Sequence, residues 1–349
     1  MGALSPEAIA AADPNGMLGD VLAQPHQIGD ALWRVESAGI PRADLPGGLI
    51  VAGMGGSAIG GDLAAAVLGA RACRPVQTLR DYALPPWVGR ETLVLCASYS
   101  GDTEETLACF EEATARGCPR VTLTTGGALA ELARAAGVPV IGVPAGMQPR
   151  AAVVYMVVAA LECAAACGAA PSLRGELEAA EPLLAKLAND WGPQAPHDSN
   201  AKALAFELQG SVPVIHGAGP TVAVARRWKN QLNENADHPA FWSELPEADH
   251  NEVCAWERAA DFAPLHAVFL TDPDTDERVA QRVEPTARIA QRHTEASGVG
   301  TSVLERVLSL VLLGDLVSVY LAALDGVDPW EIGAIERLKA DLATGDSGH

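Results

Sequence analysis

The stretch Leu49-Ile50-Val51-Ala52-Gly53-Met54-Gly55-Gly56-Ser57-Ala58-Ile59-Gly60-Gly61-Asp62 decides the fold, together with Leu93-Val94-Leu95-Cys96-Ala97-Ser98-Tyr99-Ser100-Gly101-Asp102-Thr103-Glu104-Glu105-Thr106. Each begins as a short apolar run, passes through small or hydroxyl residues, and ends as the start of a helix. Such a strand-to-helix junction aims backbone N–H groups and a positive helix end at one point, where an anion can sit. Two such junctions, the second carrying the hydroxyls of Ser98, Ser100 and Thr103, describe a phosphate cradle without lysine or metal. The pattern points to a phosphorylated small molecule rather than a nucleotide.

Outward from these loops, strands at 49–52, 76–79, 93–97, 121–124 and 138–143 alternate with amphipathic helices such as 102–116 and 128–136. Near-continuous apolar strands separated by helices predict an α/β fold, with a parallel sheet covered on both faces. Residues 1–45 read as helical, with a Pro/Asp/Gly-rich break at 12–16. A long buried helix is expected at 151–167, a polar helix at 176–189 and a two-proline loop at 191–200. The second half then restarts the pattern. Val212-Pro213-Val214-Ile215-His216-Gly217-Ala218-Gly219-Pro220-Thr221 echoes the opening of the first half, followed by a helix at 222–232, a strand at 267–271 and a helical region at 277–295. The expected organisation is an N-terminal helical segment (1–47), a first α/β unit (48–175) and a second (200–349), jointed at about 169–200.

The chain of 349 residues is 49% hydrophobic and carries a formal net charge of −20, which argues against nucleic acid and anionic membranes as partners. Its seven cysteines form no C-x-x-C pair and no metal-ligand spacing; Cys163 and Cys167, one turn apart, read as core. The apolar stretches 151–170 and 303–324 are interrupted by Glu162 and by Glu305, Arg306 and Asp315, so they read as buried helices rather than membrane spans. The N-terminus lacks a basic segment followed by an apolar run, so no signal peptide is expected and the cytoplasm is the default location.

Several residues could carry chemistry. Gly53-x-Gly55-x-x-Ala58 fits a relaxed dinucleotide fingerprint, with Asp81 slightly late for the ribose contact. The hydroxyl set on the third strand is foreign to that fingerprint and disfavours a nicotinamide cofactor. Arg150, after Pro149 at the start of the long helix, reads either as surface or as a cation delivered to the C-terminal edge of the sheet. Glu234 lies between Asn233 and Asn235. A lone glutamate there is ordinarily solvated, but with Phe241 and Trp242 excluding water it becomes a base working near neutral pH. His250 sits in a charged loop and could act as acid or base. His216 and His238 read as structural, and Lys339 on a short terminal helix would ordinarily be surface.

Taken in order, Gly53-Met54-Gly55-Gly56-Ser57, Ser98-Tyr99-Ser100-Gly101-x-Thr103-x-Glu105-Thr106, Pro149-Arg150-Ala151, Asn233-Glu234-Asn235, His250-Asn251-Glu252 and Leu338-Lys339 resemble the bifunctional phosphoglucose/phosphomannose isomerases. The resemblance runs from about residue 48 to residue 342. It implies two sugar isomerase (SIS) domains, each a doubly wound parallel sheet with flanking helices, in a cytosolic homodimer with active sites at the subunit interface. It further implies interconversion of glucose 6-phosphate, and mannose 6-phosphate, with fructose 6-phosphate through a cis-enediol, using no metal and no other cofactor. Gly55, Gly56, Ser57, Ser98, Ser100 and Thr103 would hold the phosphate. Glu234 would move the proton between C1 and C2, and Arg150 would stabilise the enediolate. His250, contributed by the neighbouring subunit, would open the sugar ring with Lys339. The alternative is a non-catalytic SIS regulator that binds a sugar phosphate. It would need none of Glu234, Arg150 or Lys339, and many such regulators carry a DNA-binding head, whereas the first 45 residues show no basic helix-turn-helix pattern. Two departures from the family stand out. Asp102 replaces the common Asn, and Ala236-Asp237 replaces a common Ser-Lys.

Overall fold

The computed structural model describes residues 2–344. Three helices come first, α1 (Pro6–Ala12), α2 (Met17–Leu22) and α3 (Gln24–Ala38). In the break between the first two, the Asp13 carboxylate accepts from the backbone N–H groups of Met17 and Leu18 and satisfies the open end of α2.

The first sheet is built from β1 (Leu49–Gly53), α4 (Gly55–Leu68), β2 (Val76–Leu79), β3 (Leu93–Ala97), α5 (Glu104–Arg116), β4 (Arg120–Thr124), α6 (Gly127–Ala135) and β5 (Val140–Gly142). Its strands run parallel in the order β2-β1-β3-β4-β5. β1 and β3 are buried at every position, which is why they read as unbroken apolar runs. The winding reverses between them, at the crevice where ligands bind in open sheets of this order. Gly53 pairs with Ala97, so the glycine-rich and the hydroxyl-rich loops leave the sheet side by side at that switch point.

Next come α7 (Val153–Ala166), α8 (Arg174–Trp191) and α9 (Asn200–Leu208), then a second sheet. It contains β6 (Val212–Ala218), α10 (Val222–Asn235), β7 (Phe241–Leu245), α11 (Val253–Trp256), β8 (Leu265–Thr271), α12 (Glu277–Ala290) and β9 (His293–Ser297), and is followed by α13 (Val303–Asp325) and α14 (Gly333–Thr344). The order β7-β6-β8-β9, again all parallel, repeats the winding of β2-β1-β3-β4.

Two expectations are corrected here. The region 277–295 is not helical throughout: α12 ends at Ala290 and β9 follows. His-Thr-Glu-Ala-Ser is an edge strand exposed along most of its length, so it lacks the apolar run that marks an inner strand. Phe241 and Trp242 do not close over Glu234. They open the other edge strand, β7, where Phe241 is exposed and the Trp242 ring lies 5.1 Å from the Arg226 guanidinium.

The interval 169–200 carries α8, an 18-residue helix that buries Leu177, Ala180, Leu184, Leu187 and Trp191 between α3 and α13. Residues 149–166 and 303–325 are long and apolar enough to cross a membrane by length and composition, and most of each is buried inside the fold. α13 starts with a reciprocal capping box between Ser302 and Glu305 and ends at the left-handed Gly326.

Helices α4 and α7 pack closely because Gly60 has no side chain. A Cβ there would sit 2.3 Å from Met156 Cβ and 2.6 Å from the Met156 carbonyl carbon. Backbone cannot yield as a side-chain tip does, so Gly60→Ala is expected to destabilise the protein by about 3 kcal/mol, the upper part of the overpacking range. Chemical denaturation measures this, and a loss below about 0.5 kcal/mol would show that the helix pair adjusts freely.

Candidate active site

The two junctions are tied together by hydrogen bonds. Ser57 Oγ, in the first turn of α4, accepts from the Tyr99 N–H at 3.1 Å. Ser98 Oγ lies 2.8 Å from Thr103 Oγ1 and accepts from the Gly101 N–H, while Ser100 Oγ accepts from the Asp102 N–H. At the start of α4 the N–H groups of Ser57 and Ala58 turn back to the Met54 carbonyl. Those of Gly55 and Gly56 have no acceptor among the described residues. The cradle therefore offers hydroxyls and open amides from the N-terminal ends of α4 and α5, the arrangement that holds an anion by dipoles.

Asp102 faces away from this work. Its carboxylate accepts from the Ala128 N–H at 2.9 Å and satisfies the start of α6, not of its own helix, whose N-cap is Thr103. Tyr99, to which the sequence reading gave no role, braces the next loop. Its hydroxyl donates to the Pro144 carbonyl and accepts from the Met147 N–H, both at 3.0 Å.

That loop delivers Arg150, in a 3-10 turn over Pro149–Ala152 directly against α4. A Cβ on Gly56 would lie 3.0 Å from Arg150 Cα, N and the Pro149 carbonyl carbon, so glycine is what lets the two backbones meet. Arg150 is 2% exposed, which settles its two readings against a surface role. Its Nε donates to Asn235 Oδ1 at 2.5 Å, Nη2 to the carbonyls of Pro329 (2.7 Å) and Trp330 (3.2 Å), and Nη1 to Gln148 Oε1 (3.2 Å). Glu234, near the end of α10, places Oε2 3.8 Å from Arg150 Nη1 and keeps 29% side-chain exposure. Burial pushes its carboxyl above the usual value, opposed by Arg150 first, then Arg227 and Lys229.

A buried ion pair frames the group from behind. Arg227 Nε and Nη2 donate to Asp315 Oδ1 (3.0 Å) and Oδ2 (2.6 Å), and Nη2 also donates to the Arg150 carbonyl (2.9 Å). In the sequence Asp315 stands out only as an interruption of an apolar helix. A carboxylate in the middle of such a helix needs a buried partner, and that was the available signal.

Gly55, Gly56, Ser57, Ser98, Ser100, Thr103, Arg150 and Glu234 thus form one contiguous line. Neither His250 nor Lys339 makes a hydrogen bond or ion pair with it among the described residues. His250 is exposed just past the C-terminal end of β7, whose Leu245 pairs with Ala218 at the start of α10. Glu234 lies at the other end of that 14-residue helix, roughly 20 Å away by helical rise. Lys339 is exposed on α14 and has no hydrogen-bond or ion-pair partner among the described residues.

The corresponding junction of the second sheet is chemically different. Thr271-Asp272-Pro273-Asp274-Thr275-Asp276 precedes α12, and Arg306 donates to the carboxylates of Asp272 and Asp274. Carboxylates there stand where the first sheet has the hydroxyls of Ser98, Ser100 and Thr103, a lining less suited to a phosphate. Among the described residues, no group of three or more His, Cys, Asp or Glu could hold a metal ion.

Two alike-wound parallel sheets and one hydroxyl cradle define a SIS-type phosphosugar protein. Residues 197–342 match the family model of the bacterial phospho-glucose isomerase C-terminal SIS domain. The fold is shared with a solved hypothetical protein from Thermus thermophilus, at TM-score 0.73 and 17% identity, over 98% of this chain and 94% of that one. Bifunctional phosphoglucose/phosphomannose isomerases from Caldicellulosiruptor bescii and Aquifex aeolicus are each 37% identical, over 84% of this chain and 89% and 90% of theirs. The chain belongs to the bifunctional phosphoglucose/phosphomannose isomerase family.

Proposed function

We propose that the protein interconverts glucose 6-phosphate, and mannose 6-phosphate, with fructose 6-phosphate by a metal-independent proton transfer. One observation carries this reading: a partly open carboxylate, Glu234, beside a buried guanidinium, Arg150, whose backbone rests on the first turn of the phosphate-facing helix. The cradle of Gly55, Gly56, Ser57, Ser98, Ser100 and Thr103 holds the 6-phosphate and spends its binding energy on positioning the far end of the sugar. Glu234 removes the proton from C2 of the open-chain aldose and returns it to C1. Arg150 stabilises the oxyanion that develops between these steps, as a preorganised cation does. The same pair serves either epimer if the common enediol turns about its C2–C3 bond and so presents the opposite face of C2 to Glu234.

His250 and Lys339 open the sugar ring in this reading. The separation of His250 from Glu234 along α10 favours a homodimer in which the partner subunit supplies the histidine. The chain then works as two units, 48–175 with the cradle and 200–349 with the base, behind a helical segment 1–47, in the cytoplasm.

A coupled assay with fructose 6-phosphate in the presence of a chelator tests the reading. Turnover is expected, and kcat/KM is expected to rise with pH through a limb above the usual carboxylate value of 4.5, because Glu234 must be deprotonated to act. Binding without turnover would leave a non-catalytic sugar-phosphate protein.

A further inference from the structure

We propose that Asn235 is a positioning residue that fixes which edge of the Arg150 guanidinium faces the substrate; this rests on the isomerase reading above. A guanidinium has five N–H donors in a rigid fork. In Arg150 the Nε donor goes to Asn235, both Nη2 donors go to the Pro329 and Trp330 carbonyls, and one Nη1 donor goes to Gln148. The second Nη1 donor has no hydrogen-bond acceptor among the described residues, and Glu234 Oε2 stands 3.8 Å from that nitrogen. One N–H is thus left for a substrate oxygen, on the edge next to the base.

Asn235 can hold this arrangement because its own amide has one allowed orientation. It is fully buried, and its Nδ2 donates to Ser318 Oγ at 2.8 Å. Ser318 spends its proton on the Asp315 carbonyl at 2.7 Å, so it receives the amide as an acceptor. Flipping the amide would set its NH2 against the Arg150 Nε–H, donor to donor. Asp315 therefore governs Arg150 twice, through Ser318 and Asn235 to the side chain and through Arg227 to the backbone carbonyl. The neighbouring residues Glu234 and Asn235 divide the labour: one turns toward the site and the other inward to α13.

Asn235→Ala and Ser318→Ala test this, each assayed beside wild type with fructose 6-phosphate. Asn235→Ala is expected to lower kcat roughly 10- to 100-fold, less than the loss of a direct oxyanion donor, with KM nearly unchanged. The acidic limb of kcat/KM moves to higher pH, because Arg150 no longer depresses Glu234; general loosening of the fold gives no such shift. Ser318→Ala, which trims only a hydroxyl, gives a smaller loss with the limb moved the same way, and decides the matter should Asn235→Ala not fold. The Arg150 Nε–H proton resonance, assigned by its absence in Arg150→Lys, reads the contact without activity and moves upfield in both variants. Isomerisation failing in wild type defeats the functional reading alone. An unshifted limb with an unmoved resonance in the folded variants overturns the role given to Asn235.

Discussion

Glu234→Gln is expected to lower kcat by roughly 10³-fold or more, in the upper part of the 10²–10⁴ that a positioned base supplies. The substitution keeps the shape and a hydrogen-bonding oxygen, so the Arg150 edge retains a neighbour while the proton acceptor is lost. In the proposed reading the substrate is gripped mainly at its phosphate end, by groups at the starts of α4 and α5 that the substitution does not touch. Fructose 6-phosphate should therefore bind nearly as tightly, as calorimetry on the variant would read, and the acidic limb of the rate profile should vanish with the carboxylate. A folded variant with near-wild-type turnover would remove Glu234 from the chemistry and pass the base role to another group.

The second large effect lies behind the site. Arg227→Met leaves the Asp315 carboxylate, which has no exposed side-chain surface, facing only neutral amides, Gln24 among them, and an apolar helix. Removing one partner of a buried ion pair typically costs about 3–5 kcal/mol, because the remaining charge is uncompensated. The loss should shrink as pH falls: the stranded carboxylate has a raised pKa in the folded variant, so protonation favours the folded state over the unfolded one. Adding Asp315→Leu should recover much of the stability by removing the charge altogether. Denaturant titrations of the two single variants and the double variant at two pH values separate these terms. A double variant as unstable as the sum of the singles would mean that the pair does not act as a unit.

The parts legible in the sequence were local. A strand, a small-residue turn and a helix start lie within fifteen or so residues of one another, so both junctions of the first sheet and the restart at Val212 could be read directly. The edge strands of the second sheet were not legible, since polar residues interrupt β7 (Phe-Trp-Ser-Glu-Leu) and make up most of β9 (His-Thr-Glu-Ala-Ser), whereas the first sheet's edges, β2 and β5, were readable. Arg150 was ambiguous for a different reason. Its partners come from Asn235 on α10 and from Pro329 and Trp330 beyond α13, distant in the chain, and no local pattern announces a contact made only by the tertiary fold. Asp315 had the opposite problem: its place in an apolar helix was conspicuous, but nothing nearby named Arg227 as the partner. The roles of Glu234, His250 and Lys339 came from motif resemblance rather than from the physics of their neighbourhoods.

The guanidinium rises from the first half of the polypeptide, the carboxylate beside it from the second, and the carbonyls that clamp the guanidinium from the tail. Neither sheet-and-helix unit is therefore self-sufficient: severed from the other, one keeps a hydroxyl-lined loop without a reactive centre, the other a carboxylate with nothing to act upon. Exchanging that loop is expected to alter which ester is admitted, whereas a new reaction would require both units to change in concert.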